Sequence, residues 1–539
     1  MQYESLIEGE DQPGSDAVVL TRLAHRIGER LPLLCAEKLL YDGREDIPGS
    51  AVPTGVAQDK FPVYNRFRQL GRTNMARPIV NAVVSRQRPN GFRLVGAAAT
   101  RDTAANDEYS QCRMDMKIPR AAHYTALHGR AYYVVSGDQG ADHVTLISPF
   151  ECVVNQEETA AVSYTYLEDA GREYLTLYRK VRSETGQVSV YTRVASRETE
   201  ARTLVGEDND DEVKNVAEKY LSDTEQTKTW VPEIGWEWES GPVILDYATA
   251  CQTLPVIEQR APDGKGQVSP HFSSMLRIDQ GVFDRMCIVT VQSFRQRAIK
   301  GMKHLRYTES DPQVLQGMKK AGEPIDFDSV FEVGPNALWM LPEDTEMWES
   351  ATTDIRPLLE AVKDDIKSLA SASETPLDIL SPDVSGSASG ADLKREGIVF
   401  KVEALNRLAN DALVRVLRMA LVLDGHTEAV DRQYAVQWLA PELRTWGNDI
   451  ADAASKLVGV LPKRSIWTIV LGMTEQEIAE AEQNMTNDAF SQFLTTPTTS
   501  TESTGEDITA LTGESLGLPA TPDFEEALGG SSNSTPEGE

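Results

Sequence analysis

Apolar residues recur at intervals of three and four along five stretches of the chain, which is the spacing of one face of an α-helix. The stretches cover residues 17–41, 66–86, 273–302, 353–372 and 391–423. Pro32 is expected to divide the first stretch into two helices, because proline lacks a backbone donor and clashes with the preceding turn. Pro357 falls in the first turn of its stretch, where proline is tolerated. The last stretch predicts a helix about 50 Å long, since each residue adds roughly 1.5 Å.

Runs of β-branched and aromatic residues between residues 128 and 195 predict an antiparallel sheet. They read HGRAYYVVSG, HVTLISPFECVVN, VSYTYLED, EYLTLYRK and VSVYTRVA, with turn-forming residues between them. Ahead of them, RPNGFRLVG places a Pro-Asn-Gly turn before a short strand. The first 270 residues are therefore predicted to be α+β.

A proline-containing stretch, residues 304–352, separates the third predicted helix from the fourth. Within it, SVFEVGPNALWML alternates like a short pair of strands, so a compact α/β insertion is predicted. The insertion carries 10 acidic and 3 basic side chains, for a net charge of −7.

A serine- and glycine-containing segment, SETPLDILSPDVSGSASG, lies between the fourth and fifth predicted helices. Pro376 and Pro382 break the helical pattern, and Ser389 or Asp392 can cap the helix that follows. Because helical periodicity resumes directly on both sides, we predict a loop between two helices and not a boundary between domains. Small side chains and glycines give this loop a permissive backbone.

Basic residues flank the same loop, namely Lys363, Lys367, Lys394, Arg395 and Lys401. One interpretation is that they meet phosphate groups. The other is that they pair at helical spacing with Asp364, Asp365 and Glu403, each pair contributing only about 0.2–0.5 kcal/mol. The sequence leaves both interpretations open.

The net charge of −30 is distributed unevenly along the chain. No Lys or Arg follows Arg464, whereas 14 acidic residues lie between Glu475 and Glu539. About the last 50 residues are also rich in Ser, Thr and Gly, so they are predicted to be mostly disordered. Like charges keep such a tail extended and repel nucleic acid.

The sequence shows no motif for catalysis or cofactor binding. The stretch from Gly386 to Gly390 lacks the lysine of a phosphate-binding loop. His123 and His128 are five positions apart, unlike the two histidines of HExxH, and are expected to be structural or exposed. Five scattered cysteines form no CxxC pair, so neither a disulfide framework nor a zinc site is predicted. We expect no cofactor, no metal and no enzymatic activity.

The N-terminal sequence MQYESLIEGEDQPGSD lacks the basic and apolar regions of a signal peptide. No apolar run approaches the roughly 18 residues of a membrane helix. A soluble protein that assembles inside the cell with reduced cysteines is therefore expected.

The order of these elements resembles that of the portal proteins of tailed bacteriophages, in the branch with siphovirus-type portals of actinobacterial phages. The segments that carry the resemblance are ARPIVNAVVSRQRPNGFRL, ALHGRAYYVVSG, VTLISPFECVV, LWMLPED, DIRPLLEAVKDDIKSLASASETPLDIL and SGSASGADLKREGIVFKVEAL. Their order and spacing together, over roughly residues 75–425, make the resemblance specific.

The resemblance implies an α+β portal fold assembled as a ring. Residues 1–270 would form the wing region, 271–303 and 353–372 the two stem helices, 304–352 the clip, 373–390 the tunnel loop, 391–430 the long wing helix, 431–489 the crown and 490–539 an acidic tail.

Members of this family form a ring, twelve-fold in the virion, at one capsid vertex, through which double-stranded DNA is packaged and ejected. The implied partners are further copies of the chain, DNA, the terminase motor, head-completion or adaptor proteins, and the major capsid and scaffolding proteins, with no membrane. The implied location is the virion, after assembly in the host cytoplasm. A mostly negative bore suits transport, because many basic contacts to phosphates would bind tightly and hinder sliding.

The resemblance also implies two sets of site residues. The set expected at the DNA channel is Lys363, Lys367, Ser385, Gly386, Ser387, Ser389, Gly390 and Lys394. The set expected to dock the motor or adaptor at the clip is Asp326, Asp328, Trp339 and Trp348, although buried core is an equally ordinary place for either tryptophan. The alternative functions are another oligomeric head–tail adaptor without a packaging role and, third, an enzyme of nucleic-acid metabolism.

Overall fold

The computed structural model describes residues 3–10, 12–44, 61–95, 103–137, 142–222, 230–293, 297–300, 306–324, 346–349, 354–381, 388–441, 455–469, 471, 473 and 475–495. The chain divides into two units, residues Met1–Glu475 and Gln476–Glu539. Within these described ranges, no helix is both long enough and apolar enough to cross a membrane.

The helices are α1 (Asp16–Asp42), α2 (Phe61–Leu70), α3 (Ala76–Val84), α4 (Thr103–Gln111), α5 (Met114–His128), α6 (Asp210–Ser222), α7 (Asp246–Cys251), α8 (Phe272–Ser293), α9 (Pro312–Leu315), α10 (Arg356–Ala372), α11 (Leu377–Leu380), α12 (Ala388–Leu423), α13 (Lys463–Ile469) and α14 (Glu475–Thr495). Of these, α14 belongs almost entirely to the second unit, and the others belong to the first.

The strands are β1 (Pro89–Leu94), β2 (Arg130–Val135), β3 (Val144–Ile147), β4 (Cys152–Val154), β5 (Ala160–Leu167), β6 (Arg172–Arg182), β7 (Val188–Glu198), β8 (Glu237–Trp238), β9 (Val243–Ile244), β10 (Val256–Arg260), β11 (Arg297–Lys300), β12 (Glu346–Glu349) and β13 (Tyr434–Trp438). A six-stranded sheet has the order β4-β5-β6-β7-β8, with β9 also paired to β7. The described residues form three further sheets, with the orders β10-β2-β3, β1-β13 and β11-β12. Every strand pair is antiparallel, as predicted, and the described chain combines helices with antiparallel sheets. The runs that were predicted to form one sheet are divided between two, because β2 and β3 pair with β10 whereas β4 to β7 belong to the six-stranded sheet.

Helix α1 packs its apolar residues against the six-stranded sheet in one hydrophobic core. Ser15 caps its first turn by accepting a hydrogen bond from the Val18 backbone N–H at 3.3 Å. The predicted division at Pro32 is wrong, because α1 runs unbroken through that residue. Leu31 and Pro32 are both buried, so packing on the surrounding core holds the helix together despite the missing backbone donor.

Helices α8 and α10 pack as an antiparallel pair. Arg277 of α8 forms an ion pair with Asp365 of α10 at 2.9 Å. Gly281, one turn later in α8, lies beside Val362, which is one turn earlier in α10, so the two helices run in opposite directions. A Cβ atom at position 281 would lie 2.7 Å from Val362 Cγ2, so glycine permits the close approach of the two helices.

The structure corrects the predicted length of the first of these helices. The sequence predicted a helix over residues 273–302, but α8 ends at Ser293 and residues 297–300 form strand β11. The partner strand β12 pairs Glu349 with Arg297 and Glu346 with Lys300. The chain therefore leaves the helix pair and returns to it through two adjacent strands.

Helix α12 contacts two hydrophobic cores along its length. Near its N-terminal half, Ile398, Val402 and Leu405 pack with Ala82 and Val83 of α3. Its C-terminal half, from Ala409 to Val422, packs with β2, β10, β13 and helices α4 and α5. The helix begins at Ala388, three residues before the predicted start at Ala391.

The stretch over residues 66–86, predicted as one helical region, forms part of two helices, α2 and α3. Between them, the backbone N–H and the hydroxyl of Thr73 both donate to Asp279 Oδ1 on α8, at 2.8 and 2.6 Å. Asn74, at φ 49°, adopts the left-handed conformation that asparagine tolerates.

A fully buried histidine–carboxyl pair links α1 to α5. His128 Nδ1 lies 2.8 Å from Glu37 Oε2, and both side chains are 1% exposed. Burial raises the pKa of Glu37 well above its ordinary value and lowers the pKa of His128 to about 4. Burial thus favours the neutral form of both groups, in which the carboxyl O–H would donate to Nδ1.

The two members of this pair should give opposite pH dependences of stability. Glu37 has a raised folded-state pKa, so its contribution is present below the unfolded value and is lost as pH rises. His128 has a lowered folded-state pKa, so its contribution is present above the unfolded value and is lost as pH falls toward about 4. The test compares Glu37→Gln with His128→Gln, because the glutamine in each variant can still form a hydrogen bond with the remaining member of the pair but does not titrate.

Measured by urea unfolding, the stability of Glu37→Gln relative to the unsubstituted protein should increase from about pH 5 to pH 8, by up to about 1.4 kcal/mol per pH unit. The relative stability of His128→Gln should increase in the opposite direction, as the pH falls. Parallel profiles for the two variants would contradict a neutral pair.

Candidate functional site

The segment that joins α10 to α12 contains the predicted channel loop. Residues 373–381 are described and include the short helix α11, whereas Ser385, Gly386 and Ser387 lie outside the described residues. Ser389, Gly390 and Lys394 fall within α12. The last three residues of the loop predicted over residues 373–390 therefore belong to helix α12.

The N-terminal end of this segment is tied to α12 by a lysine. Lys401 Nζ donates to the backbone carbonyl of Ser373 at 2.7 Å. Ser373 and Thr375 are buried, and their backbone N–H groups donate to Leu369 and Ala370 at the end of α10. Glu374, between them, has φ 51°, so the chain turns sharply there. These bonds fix where the loop leaves α10.

Burial governs the electrostatics of this anchor. It lowers the pKa of Lys401, while the nearby charge of Glu374 acts in the opposite direction. The pKa of His271 is lowered by burial and also by the positive charge of Lys401. A cation that is removed from water in this way needs its carbonyl partner, because an unpaired buried charge is costly.

The lysines that flank the predicted loop fall into different environments. Lys363 and Lys367 are exposed on α10, and Lys367 lies 2.9 Å from Asp364, with both side chains more than half exposed. Lys401 does not pair with Glu403, which instead lies 3.8 Å from Arg407. Asp365 is used by Arg277 of α8. Lys367 therefore forms an ion pair at helical spacing, as the second interpretation expected. Lys401 instead holds the start of the loop through its bond to the Ser373 carbonyl.

The described stretch from Asp354 to Ser381 is mildly acidic. It contains six acidic and three basic side chains, so its net charge is 3 − 6 = −3. Such a surface holds DNA weakly, because counterion release requires basic contacts to phosphates.

The predicted docking set is described only at one position. Asp326, Asp328 and Trp339 lie outside the described residues. Trp348 lies in β12, where its backbone is paired with Ala298 of β11.

The sequence did not predict a second group of side chains, which could bind a metal ion. Glu108 on α4, His143 just before β3 and Asp424 just after α12 bring three ligand atoms within 4.8 Å of one another. The cysteine Cys112 donates from its thiol to Glu108 Oε1 at 2.8 Å. These residues are far apart in sequence, so no local motif could have predicted that they lie close together. In the described part of the chain, this is the one group of three or more His, Cys, Asp or Glu side chains with the separation of metal ligands.

The solved structures to which the chain is similar include the following two. One is a HK97 family phage portal protein from Corynebacterium diphtheriae, with a TM-score of 0.29 and 10% identity, covering 71% of this chain and 94% of that chain. The other is a chain of the virion of a native gene transfer agent particle, with a TM-score of 0.34 and 10% identity, covering 81% of this chain and 98% of that chain. No family model matches the chain. No curated protein matches it either.

One of these two structures is of a phage portal protein, the family that the sequence resembles.

The anchor formed by Lys401 leads to a prediction about stability. Lys401→Met leaves the Ser373 carbonyl without its charged donor and should lower the free energy of unfolding by about 1–3 kcal/mol. Lys367→Met, which removes an exposed ion pair, should change it by about 0.5 kcal/mol or less. Urea unfolding measures both, and hydrogen exchange at residues 373–381 should increase only in Lys401→Met. Equal effects of the two substitutions would contradict the anchor.

Proposed function

We propose that the chain is a portal-type subunit, which assembles into a ring at a capsid vertex and gives double-stranded DNA a passage. The observation that carries the proposal is the order of elements around the α8–α10 pair. Two antiparallel helices are joined by an excursion that enters and leaves through β11 and β12, and a short connecting segment then leads into the 36-residue helix α12. This is the order that the sequence resemblance implies for stem, clip, loop and wing helix.

In this proposal, α8 and α10 are the stem helices, and the excursion between them is the clip. The clip begins at β11, before residue 304, because the strand pairing places Arg297–Lys300 beside Glu346–Glu349. The segment from Ser373 to Ser387 is the tunnel loop, and α12 is the long wing helix. Residues before Phe272 form the wing region, and those after Asp431 form the crown and tail.

The proposed partners follow from these assignments. DNA passes along the loop and the exposed face of α10, and the clip docks the terminase and later an adaptor protein. The role is mechanical and not enzymatic, and its location is the virion. The acidic character of residues 354–381 supports transport, since weak contact lets a duplex slide.

A ring also requires a surface for the neighbouring copy. Helix α12 presents an exposed apolar stripe on the side opposite to its buried face, formed by Phe400, Ala404 and Leu408 at intervals of four residues. Phe400 is 63% exposed and Leu408 is 39% exposed. Large exposed apolar residues that share one helix face are typical of an interface, and we assign this stripe to the adjacent subunit in the ring.

The test of this assignment is electron microscopy of the purified full-length protein in negative stain. The unsubstituted chain should form rings with a central hole. The double variant Phe400→Asp and Leu408→Asp should remain folded but lose the rings, because two charges would be buried at the interface between subunits. Rings that persist in this variant would place the interface elsewhere. A chain that stays monomeric at every protein and salt concentration would contradict the portal proposal itself.

Val402→Asp is the matched substitution on the buried face of the same helix. Val402 is 0% exposed, so an unpaired charge there should cost several kcal/mol and abolish the soluble folded chain. Circular dichroism and thermal unfolding separate the two faces: the variant at Phe400 and Leu408 should keep its unfolding transition, whereas Val402→Asp should lose it.

Contact between α10 and DNA can be measured by the salt dependence of binding to purified rings. If Lys363 and Lys367 meet phosphates, replacing both with alanine should reduce the slope of log affinity against log salt by about 0.9 for each phosphate that is no longer neutralised. The matched control replaces Lys319 and Lys320, two exposed lysines of the excursion, with alanine and should leave the slope unchanged.

An unchanged slope in both double variants would remove the DNA-facing role of α10. If rings formed but an in vitro assay with terminase showed no packaging of DNA, the alternative of a head–tail adaptor would be favoured.

A further inference from the structure

We propose that Glu108, His143 and Asp424 form a structural site for a divalent transition metal, with Zn²⁺ as the ion that the donors fit best. One imidazole nitrogen and two carboxylate oxygens are ordinary zinc ligands, and three protein ligands leave a fourth position for water. The proposal concerns the folding of a single chain and does not depend on the proposed ring.

The separations of the donor atoms suit this ion. His143 Nε2 lies 3.5 Å from Asp424 Oδ1. With zinc–ligand bonds of about 2.0–2.2 Å, tetrahedral geometry places neighbouring ligand atoms roughly 3.3–3.6 Å apart. All three ligand atoms lie within 4.8 Å of one another, so small side-chain rotations complete the site.

The state of His143 is an independent observation that points to a ligand. Its side chain is 0% exposed, and neither ring nitrogen has a hydrogen-bond partner in the described chain. Buried polar atoms in native proteins are nearly always bonded, and a neutral imidazole always carries one N–H donor. A metal ion on Nε2 gives this nitrogen a partner.

Glu108 is held in position for the same purpose. It is 4% exposed, and Cys112, one turn further along the chain, donates from its thiol to Glu108 Oε1 at 2.8 Å. A buried carboxylate is costly unless it is paired or binds a metal. Hydrogen bonds from a second layer of residues commonly orient metal-binding carboxylates.

The site would join three separate parts of the fold. Glu108 belongs to α4, His143 precedes β3, and Asp424 directly follows α12. The backbone around His143 is already held by Lys117, whose Nζ contacts Asp142 and the Val144 carbonyl. A bound ion would therefore fasten the C-terminal end of α12 to this region and stabilise the folded chain, because the site does not exist in the unfolded chain.

The test uses the full-length protein. The metal content of chain purified without chelator is measured by mass spectrometry, and ZnCl₂ is titrated into EDTA-treated chain by calorimetry. We expect one zinc ion per chain and a higher melting temperature with zinc than with EDTA. Asp424→Asn, at a partly exposed position, should remain folded and bind zinc at least about tenfold more weakly. His143→Gln should do the same where it folds.

His426→Gln is the matched control, because His426 is a half-exposed histidine two residues from Asp424 and outside the site. It should bind zinc like the unsubstituted chain. Equal affinity of Asp424→Asn and His426→Gln for zinc, or a melting temperature that EDTA and zinc leave unchanged, would overturn the proposal and leave His143 and Asp424 as a simple ion pair. Metal content is counted per chain, so failure of ring assembly would not affect this result.

Discussion

Burial of one face of α12 is the interaction on which the arrangement of the first unit depends. The helix is a single rigid element that contacts the α3 cluster through Val402 and the strand-containing core through Leu413 and Val416. The positions of these two cores are therefore linked. Lys401 extends the linkage to the end of α10, since its bond to the Ser373 carbonyl fixes where the antiparallel pair meets α12. A substitution on the buried face of α12 would therefore disturb the packing of both cores and the position of the α8–α10 pair.

The local spacing of apolar residues was sufficient to predict much of the secondary structure. The helices around Val362 and Val402 and the antiparallel strands from residue 128 onward follow from spacing alone, because apolar residues at those spacings must share a buried face. Two expectations failed for reasons that lie outside the local sequence. Pro32 sits in a core that holds α1 continuous, and residues 297–300 pair with a strand nearly fifty positions later. Tertiary contacts decided both outcomes.

The candidate sites divide in the same way. The loop and its flanking lysines are contiguous in sequence, so their neighbourhood could be predicted, although the roles of Lys367 and Lys401 depended on which acceptor each one reached. Glu108, His143 and Asp424 could not be grouped from the sequence, because the topology alone brings the ends of α4 and α12 beside β3. The buried pair of Glu37 and His128 was hidden for the same reason.

The pairing of β11 with β12 has an evolutionary consequence. Because the chain departs and returns at neighbouring positions, the residues between these strands can lengthen, shorten or diverge while the helix pair keeps its geometry. Selection can then act on the excursion and on α8 and α10 separately. Related chains should show most of their variation in length within this excursion, and exchanging it between relatives should leave the packing of α8 against α10 unchanged.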